Sequence, residues 1–197
     1  MEKLEKLIPG QFYHIYNRGN NKENIFVDHE NYIYFLKQYK KYVFPIAETY
    51  AYCLLKNHFH ILLQIKEERE LDKKIHTDLN KLSQPFSNFF NSYAKSINNK
   101  YDRTGSLFEE RFKRKVITTD NYFKVMVYYI HSNPQKHRLI NDYRSYPYGS
   151  YNSILSKKKT MLEREKLFKM FGGREGFIDF HTSMSSIRDI EIDNFGW

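Results

Sequence analysis

The first residues in this chain whose spacing could do chemistry are two histidines two apart, His58 and His60, inside the apolar run "LLKNHFHILLQI" (54–65). Side chains at i and i+2 of a strand point to one face. His58, His60, Leu62 and Gln64 therefore share a face, and Phe59, Ile61, Leu63 and Ile65 form a clean core face opposite. Neutral imidazoles at neighbouring same-face positions can converge on one metal ion. They can equally sit hydrogen-bonded on a half-exposed sheet face, and a third ligand is needed to choose. The single cysteine, Cys53, lies in the strand-like run "YAYCLL" and reads as a buried inert thiol. One thiol excludes a disulfide framework and a multi-thiolate metal site. It also excludes the C-x-x-C set of the zinc deaminases, and no H-E-x-x-H pair is present. What remains is histidine plus oxygen donors, which suits a divalent ion polarising a phosphate.

The elements that must position these residues follow from periodicity. "QFYHIYNRG" (11–19) has strand composition and runs into the turn cluster Arg18-Gly19-Asn20-Asn21. Asp28 is the expected N-cap of an amphipathic helix carrying Tyr32, Phe35, Leu36, Tyr39 and Val43 and ending before Pro45. Strands are expected at 47–55 and 58–65, joined by Lys56-Asn57 as an antiparallel hairpin. After a polar stretch (66–75) comes a helical region at about 77–98, with Pro85 kinking or splitting it. A strand at 111–119 and a helix at 121–133, capped by Asp120 and ended by Pro134, complete the core. The expected fold is α+β: a central antiparallel sheet of about four to five strands with helices mainly on one face. Residues 1–150 form the domain, and 151–197 a helical C-terminal extension with two short helices in "MLEREKLFKMFGG" and "REGFIDFHTS". The last dozen residues show no clear periodicity.

Charge points to the partner. Lys and Arg number 32 against 23 Asp and Glu, a net +9, and the isoelectric point is near 9.4. Such an excess favours a polyanion, nucleic acid ahead of a membrane surface. "EERFKRK" sets Arg111, Lys113 and Lys115 on one strand face, with Phe112 and Arg114 on the other; Arg114 breaks the basic-out pattern and suggests an edge. With Arg18, Lys100 and Arg103 they form a plausible phosphate-tracking groove. The "NRGN" stretch, with Asn20, reads either as a backbone approach to phosphate or as a tight turn. The start "MEKLEKLIPGQFYH" has no apolar leader, and no apolar run nears the roughly 20 residues of a spanning helix. The expected location is the reducing cytoplasm.

On the 121–133 helix, Tyr129 and Asn133 lie four apart on one face, while Phe123, Val127 and Ile130 anchor another. Periodicity leaves Tyr128 and Tyr129 equal as functional candidates among 17 tyrosines. Several segments together resemble the single-tyrosine HUH transposases, specifically the insertion-sequence-200-like and REP-associated tyrosine transposase group. They are "NHFHILLQI", "GQFYHIYNRGNNKENIF", "FSNFFNSYAKSINNKYDRTGSLFEERFKRKVI", "YYIHSNPQKHRLI", "YPYGSY" and "LFKMFGGREGFIDFH", spread over residues 10 to 181. That resemblance implies the ferredoxin-like HUH endonuclease fold. It implies His58 and His60 as metal ligands, Asn133 as a third through its amide oxygen, and Tyr129 as nucleophile. It further implies Mg or Mn as the working ion, single-stranded or hairpin DNA as partner, and a possible homodimer. The activity implied is single-strand cleavage and strand transfer through a 5′-phosphotyrosine. The rival readings are a basic protein that binds DNA or RNA hairpins without cutting, and a hydrolase using the histidines without a covalent step. His131, two residues from Tyr129, points to another side of the helix.

Overall fold

The period-2 pattern of 58–65 is what the folded chain uses. In the computed structural model, which describes residues 5–72 and 78–186, Phe59, Ile61, Leu63 and Ile65 enter one core and Leu62 another. Four strands, β1 (Phe12–Arg18), β2 (Ala47–Leu55), β3 (His58–Ile65) and β4 (Lys113–Ile117), make one antiparallel sheet in the order β2-β3-β1-β4. The Lys56-Asn57 hairpin sets Leu55 opposite His58, and the register of β2 shifts between Thr49 and Ala51. β4 is an edge strand, as Arg114 suggested. It is shorter than the expected 111–119, because Arg111 sits at φ 60, in the left-handed region where no strand continues.

Helix α1 (His29–Tyr42) begins at Asp28, whose carboxylate accepts from the Asn31 amide at 3.0 Å while the Asn31 side-chain oxygen accepts from the Asp28 N–H at 3.3 Å. That reciprocal pair satisfies two donors that a helix start otherwise strands. Helix α2 (Gln84–Lys100) starts at the proline that was expected to split this region; Pro85 occupies its first turn, where its missing N–H costs nothing, and a 3₁₀ turn (Leu79–Ser83) precedes it. The end of the polar stretch and residue 77 lie outside the described residues. Helix α3 (Asp120–Lys136) corrects two expectations. Its cap is Thr119, whose hydroxyl accepts from the Tyr122 N–H at 3.1 Å, not Asp120. Pro134 does not end it: the helix runs one more turn, closed by the His137 N–H on the Asn133 carbonyl. Only one turn follows the proline, so the break stays local.

The helices cover both faces of the sheet, not mainly one. α1 and α2 pack on the face carrying Tyr13, Ile15, Phe59 and Ile61; Phe35 meets Phe59 and Phe89 at ring-centroid distances of 5.1 and 4.7 Å. α3 covers the other face with α4 (Tyr151–Leu155), α5 (Arg164–Met170) and α6 (Arg174–Ser186). The reason lies in the strands: Tyr50, Cys53, Leu55, Leu62 and Ile117 make the second face apolar as well, and it must also be covered. α5 and α6 are the two short helices read from the sequence; whatever follows Ser186 lies outside the described residues. No helix among the described residues is long and apolar enough to cross a membrane.

Candidate active site

The two histidines lie on the second face, where β1 runs beside β3 with Arg18 opposite His58 and Tyr16 opposite His60. The His58 ring Nδ1 is 2.7 Å from the Asn57 carboxamide oxygen. That oxygen can only accept, so His58 Nδ1 carries the hydrogen and Nε2 keeps the lone pair. His60 Nδ1 is 2.9 Å from Nε2 of a third histidine, His14 on β1. Nε2 of His58 and Nε2 of His60 are buried with no hydrogen-bond partner. Burial pulls His58 down to about 3 and His60 well below the usual imidazole range, helped by the neighbouring His137 and His14 charges respectively. Both rings are neutral at pH 7, the form that binds metals.

α3 closes over this pair. Tyr129, 6% exposed, sets its ring edge against His60 and His14 at centroid distances of 5.4 and 6.0 Å. The Lys136 ammonium lies 5.2 Å from the Tyr129 ring centroid. Asn133 is buried, and its amide N–H donates to the Tyr129 carbonyl at 2.8 Å, leaving the amide oxygen as the atom it can present. One turn further, the His137 ring meets His58 at 4.9 Å. Tyr129, Asn133 and His137 thus follow one side of the helix at i, i+4 and i+8. Tyr128 faces elsewhere, against Tyr143 and His181 at 6.0 and 5.7 Å. Among the described residues no three His, Cys, Asp or Glu side chains gather as a metal set. The groups that could hold a divalent ion are the two neutral imidazoles with unpartnered Nε2 atoms and, from the side of α3 that carries Tyr129, the Asn133 amide oxygen.

No family model matches the chain. A Haemophilus influenzae protein described as "Putative REP-associated tyrosine transposase" is 28% identical over 108 residues, 53% of this chain and 59% of that protein. This chain therefore spans less than two thirds of the curated relative it matches. The solved structure of a REP-associated tyrosine transposase bound to a REP hairpin superimposes with a TM-score of 0.62 at 14% identity, over 80% of this chain and 86% of that one. In sequence and in fold, this chain is similar to the REP-associated tyrosine transposases. The resemblance read from its motifs holds, and so does the α+β fold with an antiparallel sheet.

The basic residues divide into three groups. Lys113 and Lys115 lie opposite Tyr16 and His14 in the β1–β4 register, on the histidine face, and Arg18 lies there too, paired with Glu109. Lys100 is held by Asp28 and Glu30 at 2.8 and 2.9 Å, and Arg103 by Glu23 and by Asn98 at 2.9 Å. These two brace α1 and the "NRGN" loop. Arg111, placed on the strand by the sequence, lies outside it and lines a cleft of about 420 Å³ with Asn17, Asn91 and Glu110. Asn20 sits in a 3₁₀ turn, its N–H bonded to the Leu107 carbonyl at 3.0 Å. In that loop Gly19 is required for close approach, since a Cβ there would meet the Glu23 carbonyl oxygen at 2.0 Å. Sequence reasoning missed His14, Lys136 and His137. His14 shares the parity of Phe12 and Tyr16, but the register with β3 was needed to bring it to His60.

His131 belongs to a different cluster. His181 Nδ1 lies 2.8 Å from the Phe177 carbonyl and must donate to it; His181 Nε2 then accepts from His131 Nδ1–H at 2.9 Å. His131 Nε2 in turn accepts from the Ser150 hydroxyl at 2.8 Å, whose oxygen takes the Tyr52 N–H at 2.9 Å. Both imidazoles are neutral and neither can gain a proton without breaking a bond. Burial pulls His181 down to about 4, with the Phe177 bond opposing, and pulls His131 well below its usual range, aided by His181. A folded-state pKa below the unfolded value near 6.5 means that the folded chain binds fewer protons between the two. Stability is then complete above about pH 6.5 and falls as pH drops towards 4, His181 alone contributing on the order of 3 kcal/mol. Thermal melts between pH 7 and 4 should show a steep decline; a flat profile across that window would contradict this network.

Proposed function

We propose that this chain is a metal-dependent single-stranded DNA endonuclease and strand transferase, a transposase or a domesticated relative, that forms a 5′-phosphotyrosine on Tyr129. The observation that supports this most is the packing of Tyr129 against His60, whose Nε2, with that of His58, is buried and unpartnered. In the proposed step the Tyr129 oxygen bonds to phosphorus while the bond from phosphorus to the 3′-oxygen breaks. The phenol proton is lost and the departing 3′-oxygen gains one, leaving a free 3′-OH. Because an aryl phosphate ester stays reactive, a 3′-OH can reverse the step and rejoin strands without ATP. A divalent ion held by His58, His60 and Asn133, Mg or Mn, would supply charge neutralisation at the scissile phosphate. The Lys136 ammonium, 5.2 Å from the Tyr129 ring centroid, would add positive charge near a developing phenolate, and Lys113, Lys115 and Arg18 border the same face for the strand's phosphates.

The substrate we infer is single-stranded DNA next to a hairpin, the partner named for the structural relative being a REP hairpin. Its site in the cell would be the cytoplasm. The test is to mix the protein with labelled hairpin-bearing single strands. With Mn²⁺ a covalent adduct should appear on a denaturing gel, and with EDTA it should not. Cleavage without an adduct would favour hydrolysis, and tight binding without cleavage in any divalent ion would favour a hairpin-binding protein. Since the Tyr129 ring packs on His60 of its own chain, a Tyr129→Phe chain mixed with a His58→Ala/His60→Ala chain should regain no activity; recovery would mean that a homodimer shares its sites.

A further inference from the structure

The orphaned nitrogens raise a question that the ligand pair does not answer: what keeps each Nε2 as a lone pair. An imidazole with hydrogen on Nε2 cannot bind a cation there, and the other ring nitrogen's partner decides the tautomer. For His58 that partner is Asn57, whose carboxamide oxygen can only accept. For His60 the partner is His14, wholly buried on β1. The His14 ring is held between two neighbours, stacked on Tyr16 at 4.7 Å and on His60 at 5.1 Å, with the Tyr129 edge at 6.0 Å. It is too tightly packed to turn away, and its Nε2 stays aimed at His60 Nδ1.

We propose that His14 is a positioning residue: its Nε2 accepts a hydrogen bond from His60 Nδ1–H and so fixes the tautomer of His60 that can bind a divalent cation through Nε2. The inference rests on the metal-dependent reading above. His14 then carries its own hydrogen on Nδ1, an atom buried without a partner, and such an orphan is tolerated where a site needs it. In this arrangement each ligand histidine gives its Nδ1–H to a neighbouring acceptor, Asn57 of the hairpin turn or His14 of β1, and keeps Nε2 as a lone pair. His14 touches neither substrate nor cation; it acts through His60.

The direct measurement needs no metal. Nitrogen chemical shifts of the His60 ring in the ¹⁵N-labelled folded protein report which nitrogen is protonated. The expected result is Nδ1–H in the wild-type chain; Nε2–H overturns the proposal whatever becomes of the enzymatic reading. His14→Phe keeps a flat ring on Tyr16 but removes the acceptor. It should move His60 towards Nε2–H and weaken Mn²⁺ binding, read by calorimetry, about 10–100-fold. His14→Gln, which restores an acceptor, should recover most of that loss. If His14→Phe leaves the tautomer and the Mn²⁺ affinity unchanged, His14 is merely packing. Mn²⁺ binding that survives His60→Ala would instead remove the metal-site reading, leaving the tautomer result to stand or fall by itself.

Discussion

Tyr129→Phe is expected to abolish the covalent protein–DNA adduct while leaving fold and DNA binding almost intact. The substitution removes one oxygen, the atom proposed to bond to phosphorus; Tyr128 is turned to Tyr143 and His181, and the Tyr16 ring lies stacked on His14. Losing a nucleophile costs the whole covalent route, so adduct formation should drop by at least about 10³-fold, the scale seen when a nucleophile is deleted. The ring stays against His60 and His14, so packing is preserved and the melting temperature should shift by only a few degrees. Hairpin binding should stay within a few-fold, because Lys113, Lys115 and Arg18, the residues proposed to meet the strand's phosphates, are untouched. Tyr128→Phe is the matched control. It gives up only a 3.5 Å contact to Ser185 and should form the adduct at close to the wild-type level. Denaturing gels of both variants with Mn²⁺ decide the matter: an adduct lost in Tyr128→Phe and kept in Tyr129→Phe would reassign the nucleophile.

Much of this site is legible in the sequence because it rests on local periodicity. Alternation in 58–65 is enough to put His58 and His60 on one face, and a spacing of four puts Asn133 over Tyr129. What could not be read depends on partners distant along the chain. His14 meets His60 across 46 residues, and only the strand register brings them together. Lys100 and Arg103 look like groove residues until Asp28, Glu30 and Glu23, some 70 to 80 residues earlier, are seen to hold them. The second helical layer was missed for a related reason. A β3 face that begins with two histidines reads as polar, yet β2 supplies Tyr50, Cys53 and Leu55 to the same side, and their sum requires cover. Pro134 fails as a stop because its local rule is overridden by burial of α3 along nearly its whole length.

That second layer leads to the other large effect: a chain ended at residue 150 should not fold cooperatively. Tyr151, Ile154, Leu162, Leu167, Phe171 and Phe177 come from beyond that point, and all are buried in the core shared with Phe123, Met126 and Val127 of α3. At about 1.5–3 kcal/mol for each large apolar side chain, their combined loss is on the order of 10 kcal/mol, comparable to the whole stability of a typical domain. Polar connections go with them. The Glu163 N–H bonds the Thr49 carbonyl on the open side of β2 at 2.9 Å, and an uncovered edge strand invites aggregation. His131 would lose its hydrogen bond to His181 and its packing on Tyr151 and Phe177, beside the helix turn that carries Tyr129 and Asn133. The C-terminal helices are thus part of what holds α3 on the sheet. Circular dichroism and melting of the 1–150 fragment test this, the expected result being no near-ultraviolet signal and no sharp transition. A fragment that melts cooperatively and still forms the adduct with Mn²⁺ would show instead that α4 to α6 are an addition to a domain complete without them.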